Sequence, residues 1–280
     1  MSQSKTLLSN LVNRFQVSNF IIISIEEFFK NANKDDLTQT QNTDFYTLIV
    51  LKNSAGKHTI EYEDYKYNEG SVIAIRKNQN QQFHINKSTK GYLILFKEEF
   101  LHSYLNEQEI ANTIQMFNEL ITSPKTQFNK RDFDLFLNII EAIEKEFLNR
   151  FDSYSLKIIR SLLHMSITQI HRVKSKGYKR TNYNKYLKEF IKFQNLVEQY
   201  YKVSKKVAFY SNKLGFSSKK LNTIVNNVSK KNAKGFIDDV IIIKAKKDLL
   251  NTNLSVKQIA YKLGFKDPAN FFKYFRNTHI

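Results

Sequence analysis

Leu254-Ser255-Val256-Lys257-Gln258-Ile259-Ala260-Tyr261-Lys262-Leu263-Gly264-Phe265, followed after Lys266 by Asp267-Pro268-Ala269-Asn270-Phe271-Phe272-Lys273-Tyr274-Phe275-Arg276, is the stretch that decides how this chain is read. Residues 256–263 have the apolar spacing of a short helix. Gly264 ends it, as expected where the backbone must enter the left-handed region. Asp267 then caps a second helix, and Pro268 suits its first position because no hydrogen bond is lost there. Two helices joined by a tight turn containing glycine form a helix-turn-helix. The second helix of such a unit is built to enter the major groove of DNA.

The same grammar occurs once before. Leu214-Gly215-Phe216 precedes Leu263-Gly264-Phe265 by 49 residues, and Val207 precedes Val256 by the same offset. Beyond the glycine the offset is 50, matching Leu221 with Phe271, Ile224 with Tyr274 and Val225 with Phe275. The second copy thus has one extra residue in its turn, and Ser217 takes the capping position of Asp267 in the first. The two units span 203–229 and 253–278. Between them, residues 236–250 read as a helix with Ile241, Ala245, Leu249 and Leu250 facing inward. A rigid spacer of this kind sets two recognition helices in successive major grooves, about 34 Å apart.

Charge follows the same division. Residues 181–280 hold 20 Lys and Arg against 6 Asp and Glu, a net +14 of the chain's +18, and residues 1–180 hold 24 against 20. A basic segment joined to a nearly neutral one points to a polyanion partner for the first and another task for the second. Charge alone fits a lysine-rich solvated surface equally well; the duplication makes the difference.

The length, 280 residues, suits two domains of ordinary size, and 41% hydrophobic content excludes compositional disorder. No cysteine is present, which excludes disulfides and thiolate metal sites and fits a reducing compartment. The first twenty residues lack the apolar core of a secretion signal. The most apolar runs, 21–25 and 240–243, are too short to cross a bilayer. The expectation is a cytoplasmic protein with no membrane partner.

Residues 44–97 alternate short β-rich runs with turn signals. The runs are 45–51, 59–62, 72–75, 83–85 and 92–96, with Gly56 and Asn68-Glu69-Gly70 among the turns. This spacing argues for a small antiparallel barrel or sandwich. From Phe133 the period changes. Phe136, Leu137, Ile140, Ile143 and Phe147 share one helix face. Leu156, Ile159, Leu163, Ile167 and Ile170 share a second, with Ser153 as its expected N-cap. These two helices either cover the barrel or meet a second subunit. The polar, glycine-containing residues 176–184 read as a linker.

Residues 185–280 resemble the DNA-binding domain of AraC/XylS-type transcription regulators. The resemblance is carried by Ile243-Lys244-Ala245-Lys246-Lys247-Asp248-Leu249-Leu250 together with the stretch quoted first, while residues 207–228 match more loosely. By position it implies that Lys219, Asn222 and Thr223 of the first unit and Ala269, Asn270 and Lys273 of the second contact base edges. Lysine donating to guanine, asparagine pairing with adenine and a small alanine meeting a thymine methyl fit that chemistry. Lys220, Lys266 and Arg276 are placed for phosphates, which set register rather than sequence. The family continues with a glycine, a proline and a closing segment. His279 stands where that glycine falls and the chain stops at Ile280, so the element packing behind the second recognition helix is expected to be missing.

Residues 1–175 resemble, more faintly, the cupin-like sensor domain of the same regulators, through 46–50, 56–60, 69–72 and 91–96. The expected fold class is therefore α+β: a small antiparallel cupin-like β-barrel with following helices, then an all-α domain, 185–280, with two helix-turn-helix units. His58, Arg76, His84 and Tyr92 are candidates to line a ligand pocket, with barrel-rim roles as the plainer alternative. Enzymatic cupins hold metal with a His-x-His pair, which is lacking here, so no metal or cofactor is expected. No P-loop, dinucleotide fingerprint, nucleophile elbow or His-Glu-x-x-His occurs.

These features point to a non-enzymatic, sequence-specific transcription regulator acting on double-stranded DNA. A small-molecule effector and a homodimer are partners the resemblance leaves open. A cupin-type enzyme with an accessory basic domain and a nonspecific nucleic-acid binder are the competing readings.

Overall fold

The apolar runs of the N-terminal half form two antiparallel sheets, and the C-terminal part is helical throughout its described length. The computed structural model describes residues 18–31, 41–53, 55–61, 63–84, 88–102, 105, 107–115, 117–118, 123–150, 152–174 and 183–279. Tyr62, Ile85 and most of the expected linker lie outside them. The chain divides into two compact units, Met1–Tyr178 and Lys179–Ile280.

In the first unit, strands β1 (Phe20–Ser24), β3 (Tyr46–Asn53), β6 (Ser71–Ile75), β8 (Lys90–Phe96) and β9 (Lys125–Gln127) make one sheet in the order β1-β8-β3-β6-β9. Strands β2 (Gln41–Asn42), β4 (Gly56–Ile60), β5 (Glu63–Tyr67) and β7 (Asn80–Phe83) make the other, in the order β2-β7-β4-β5. All recorded pairings are antiparallel, and each sheet has two ends. The expected barrel is thus two open sheets. Alternation and turns specify hairpins, and closure needs edge pairings that neither can encode.

The larger sheet is buried on both faces, which explains its near-continuous apolar runs. Ile49, Leu51 and Ile73 line a cavity shared with the second sheet, while Lys52 reaches Glu141 on the opposite side. That opposite face is covered by helices α4 (Lys130–Lys145) and α5 (Ser155–Lys174), joined through a π-type turn at Glu146–Arg150. They follow α1 (Ile25–Asn31), α2 (Glu99–His102) and α3 (Glu107–Gln115). Phe136, Ile140, Ile143, Phe147, Ile159, Leu163, Ile167 and Ile170 all enter the core of the sheet, each burial being worth about 1.5–3 kcal/mol. The ring of Phe147 meets that of Phe20 at 5.6 Å. The two helices therefore cover the sheet, as one of the two expectations had it. Asp152, rather than Ser153, starts α5: its carboxylate accepts from the Tyr154 and Ser155 backbone N–H groups.

The second unit contains α6 (Tyr183–Tyr200), α7 (Val207–Lys213), α8 (Ser218–Ser229), α9 (Ala233–Asn251), α10 (Val256–Lys262) and α11 (Pro268–His279). Helix α9 is the hub. Phe236, Ile237, Val240, Ile241, Ile242 and Ala245 are buried around it, and it contacts α6 and α8 as well as α10 and α11. Aromatic rings close the first half, with Phe190 against Phe236 at 5.1 Å and Phe193 against Tyr210 at 5.9 Å. Leu249, expected inward, lies at the surface. Among the described residues, no helix is long and apolar enough to cross a membrane.

Candidate nucleic-acid interface

Two helical pairs flank α9, and each is built as its sequence requires. Helix α7 ends at Gly215, whose φ is +68°, and α10 ends at Gly264, whose φ is +78°. Both glycines occupy the left-handed region that side chains disfavour. Ser217 caps α8 by accepting from the Lys220 N–H at 3.2 Å. Asp267 accepts from the Ala269 N–H at 2.9 Å, with Pro268 as the first helical residue of α11. Helix α10 opens on a reciprocal capping box between Ser255 and Gln258. Leu221, Ile224, Val225 and Val228 form the buried stripe of α8, and Phe271 is buried in α11 with Tyr274 and Phe275 half-buried.

The remaining faces are exposed and basic. Lys219, Lys220, Ala269, Asn270, Lys273 and Arg276 are all exposed. Acids in this unit neutralise other lysines: Glu198 holds Lys244, Asp238 holds Lys234, Asp239 holds Lys231 and Asp248 holds Lys262. Among the described residues no acid pairs with Lys219, Lys220, Lys266, Lys273 or Arg276. Positive charge with no acidic partner among the described residues thus stands on the two second helices and at their starts, as it does elsewhere on the unit, and a phosphate backbone would meet it there. Lys220 also rests over the Phe216 ring at 4.2 Å.

Two of the expected base readers have internal partners. Thr223 donates to the Lys219 carbonyl at 3.1 Å, a bond its hydroxyl can exchange for a base edge. Asn222 is held at both ends. Its Nδ2 donates to the Ser218 carbonyl at 3.0 Å, and its Oδ1 accepts from the Ala233 N–H, at the start of α9, at 2.8 Å. Asn222 is half-buried and joins α8 to the start of α9. Asn222→Ala is therefore expected to lower the unit's stability by about 1 kcal/mol, the scale of a lost cap, as read by thermal melting. Asn226, on the outward face of the same helix, is exposed and offers the same amide chemistry. No sequence signal marks the Asn222 contact, because its partner is eleven residues away across a turn.

The four ligand-site candidates of the first unit do not come together. His58 and His84 line the cavity between the sheets, with Ile25, Phe29, Phe83 and Thr89 among its other walls. Tyr92 lies on the opposite face of the larger sheet, where its hydroxyl donates to Glu144 of α4 at 3.1 Å. Arg76 follows β6 beside Tyr46, whose hydroxyl pKa is raised by burial and by Glu98 and lowered by Arg76. Sequence alone could not assign these residues to faces without the strand register. Among the described residues no group of three or more His, Cys, Asp or Glu side chains stands together as a metal site would need.

The cavity has a volume of about 20 Å³, room for one water molecule. His58 is enclosed, and its Nε2–H donates to Gln81 Oε1 at 3.2 Å. Burial depresses its pKa to about 4, with His84 adding to the effect. His84 stands nearer solvent, bonded to the Thr59 hydroxyl at 2.7 Å. Thr59 and Lys57 in turn bond Asp64, whose carboxyl is held below its ordinary range mainly by Lys57.

Residues 210–279 match the family described as a helix-turn-helix domain. No curated protein matches the chain. Among solved structures, ToxT of Vibrio cholerae strain SCE256, bound to an unsaturated fatty acid, is similar at 17% identity over 86% of each chain, with a TM-score of 0.43. ToxT of Vibrio cholerae O395 is similar at 13% identity over 92% of this chain and 93% of that one, with a TM-score of 0.41. The AraC-like transcriptional activator CuxR is similar at 11% identity over 75% of this chain and 71% of its own, with a TM-score of 0.34.

Proposed function

We propose, from the premise that the C-terminal unit carries an AraC-type helix-turn-helix domain over residues 210–279, that this protein is a sequence-specific DNA-binding transcription regulator. The observation that carries the reading is the pair of capped, exposed second helices, α8 and α11, whose lysines and arginine have no acidic partner among the described residues. Both helical pairs act as reading units. Lys219, Thr223 and Asn226 of the first and Ala269, Asn270 and Lys273 of the second contact bases, with Lys220, Lys266 and Arg276 on phosphates. Asn222 is assigned to holding α8 against α9. The protein works in the cytoplasm, where its DNA is, and is not an enzyme.

The first unit serves as the sensor. Its cavity, at about 20 Å³, admits an effector only if the sheets part, so effector binding and a change of sheet packing are one event. A second copy of the chain fits the exposed apolar side chains Leu135, Ile158 and Met165 of α4 and α5; sedimentation of the purified protein as a monomer would remove that extension.

The test is competition between a selected site and random duplex at several salt concentrations. The selected site is expected to bind at least about a thousandfold more tightly, the lower end of specific recognition. Lys219→Ala and Lys273→Ala are expected to weaken the selected site by roughly tenfold each, one lost base contact, without changing thermal stability. Equal affinity for selected and random duplex would sink the reading in favour of a nonspecific binder.

A further inference from the structure

The two helical pairs of the C-terminal unit touch each other at a place the sequence does not advertise. The connection is the segment between α6 and α7. It is rigid: the Tyr201, Val203 and Ser204 N–H groups donate back to the end of α6, and the Tyr210 hydroxyl donates to the Ser204 carbonyl at 2.6 Å. This segment lies in the turn of the second pair. The Gly264 Cα packs so closely on the Lys202 carbonyl that a Cβ there would stand 2.0 Å from the oxygen. Beside it, Lys205 crosses to the end of α10. Its Nζ donates to the Leu263 carbonyl at 3.1 Å and the Gly264 carbonyl at 3.3 Å, and lies 4.1 Å from the centre of the Phe265 ring. Helix-end carbonyls carry partial negative charge and lack intrahelical donors, so an ammonium is a fitting partner.

We propose that Lys205 is a positioning residue that fixes the spacing between the two DNA-reading helices by locking the turn of the second helical pair to the entry of the first. The proposal rests on the reading of both pairs as DNA-binding units. Helix α9 alone is one link between them, and a single helix leaves bend and rotation at its ends. The Lys205 contact is a second link on a different path, and two links hold a relative position that one cannot. Lys205 is half-buried, with its ammonium committed to the protein rather than to solvent or phosphate.

The experiment is selection from duplex libraries in which two half-sites are separated by every spacing across one helical turn, using the full chain and its Lys205→Met, Lys205→Gln and Lys205→Arg variants. The wild type is expected to prefer one spacing over its neighbours by roughly tenfold, the scale of one mismatched base pair. Lys205→Met is expected to flatten that preference to roughly threefold or less while affinity for an isolated half-site stays unchanged, and Lys205→Arg is expected to restore it. If Lys205→Met does not fold, Lys205→Gln, which keeps one donor group, gives the same readout. A wild-type spacing profile in the methionine or glutamine variant overturns the proposal, as does an equal loss on isolated half-sites and on pairs. A wild type that enriches no motif overturns the DNA-binding reading instead, and this inference with it.

Discussion

Gly264→Ala is expected to destabilise the C-terminal unit by about 3–5 kcal/mol, while Gly215→Ala costs only about 1 kcal/mol. The two glycines hold nearly the same conformation, with φ of +78° and +68°, so backbone strain is alike in both. Their surroundings differ. A Cβ on Gly264 meets the Lys202 carbonyl at 2.0 Å, and that obstacle is backbone, whereas nothing lies within 4 Å of one on Gly215. The alanine at 264 can enter only by driving the 201–205 segment out of the turn, which also breaks the Lys205 bonds. Against a total stability of about 5–15 kcal/mol, that loss lowers the melting temperature by some 12–40 °C. Thermal melting of the two variants side by side checks this. Equal, small losses would show that the segment does not rest on the turn.

Acid is expected to weaken the N-terminal unit through His58. The folded-state pKa is about 4 against an ordinary 6.5. Below pH 6.5 the unfolded chain takes up a proton that the folded chain refuses, so stability is full above that pH and falls as the pH drops. The decline ends near pH 4, where the folded form also protonates. The size is set by the pKa gap at 1.36 kcal/mol per unit, giving about 3 kcal/mol in all. Denaturant unfolding followed by circular dichroism at pH 7 and pH 4.5 measures it, and suits a chain with no tryptophan. His58→Gln keeps a donor for Gln81 but cannot charge, and should remove most of the slope. An undiminished slope in that variant would assign the acid sensitivity to other groups.

What could be read in the sequence was local. The Leu-Gly-Phe turns, the Ser217 and Asp267 caps and the apolar stripes of α4, α5 and α8 depend on residues within a few positions of one another, and they appear in the structure where the spacing puts them. What escaped depends on distant pairing. The apolar run 21–25 reads in the sequence only as too short for a membrane, yet most of it belongs to β1, an edge strand whose partner is β8, some seventy residues on. Closure of the sheets into a barrel was expected because hairpin signals look the same in open and closed sheets. His58, His84, Arg76 and Tyr92 are candidate pocket residues in the sequence, and strand register alone separates His58 and His84, which line the cavity, from Tyr92, which faces α4. Asn222 and Lys205 were beyond reach for the same reason: their partners are 11 and 58 residues away. A side chain that satisfies a distant backbone group carries no local mark, so polar residues on an exposed helix read alike whether they face DNA or the protein's own turns.

The most direct test of the central claim is affinity selection of genomic DNA fragments by the purified full chain, repeated across salt concentrations. The account predicts enrichment of one motif made of two half-sites about ten base pairs apart, centre to centre, with affinity that falls steeply as salt rises. Salt-sensitive binding with no enriched motif would contradict it, and would leave the basic unit as a binder of polyanions without sequence.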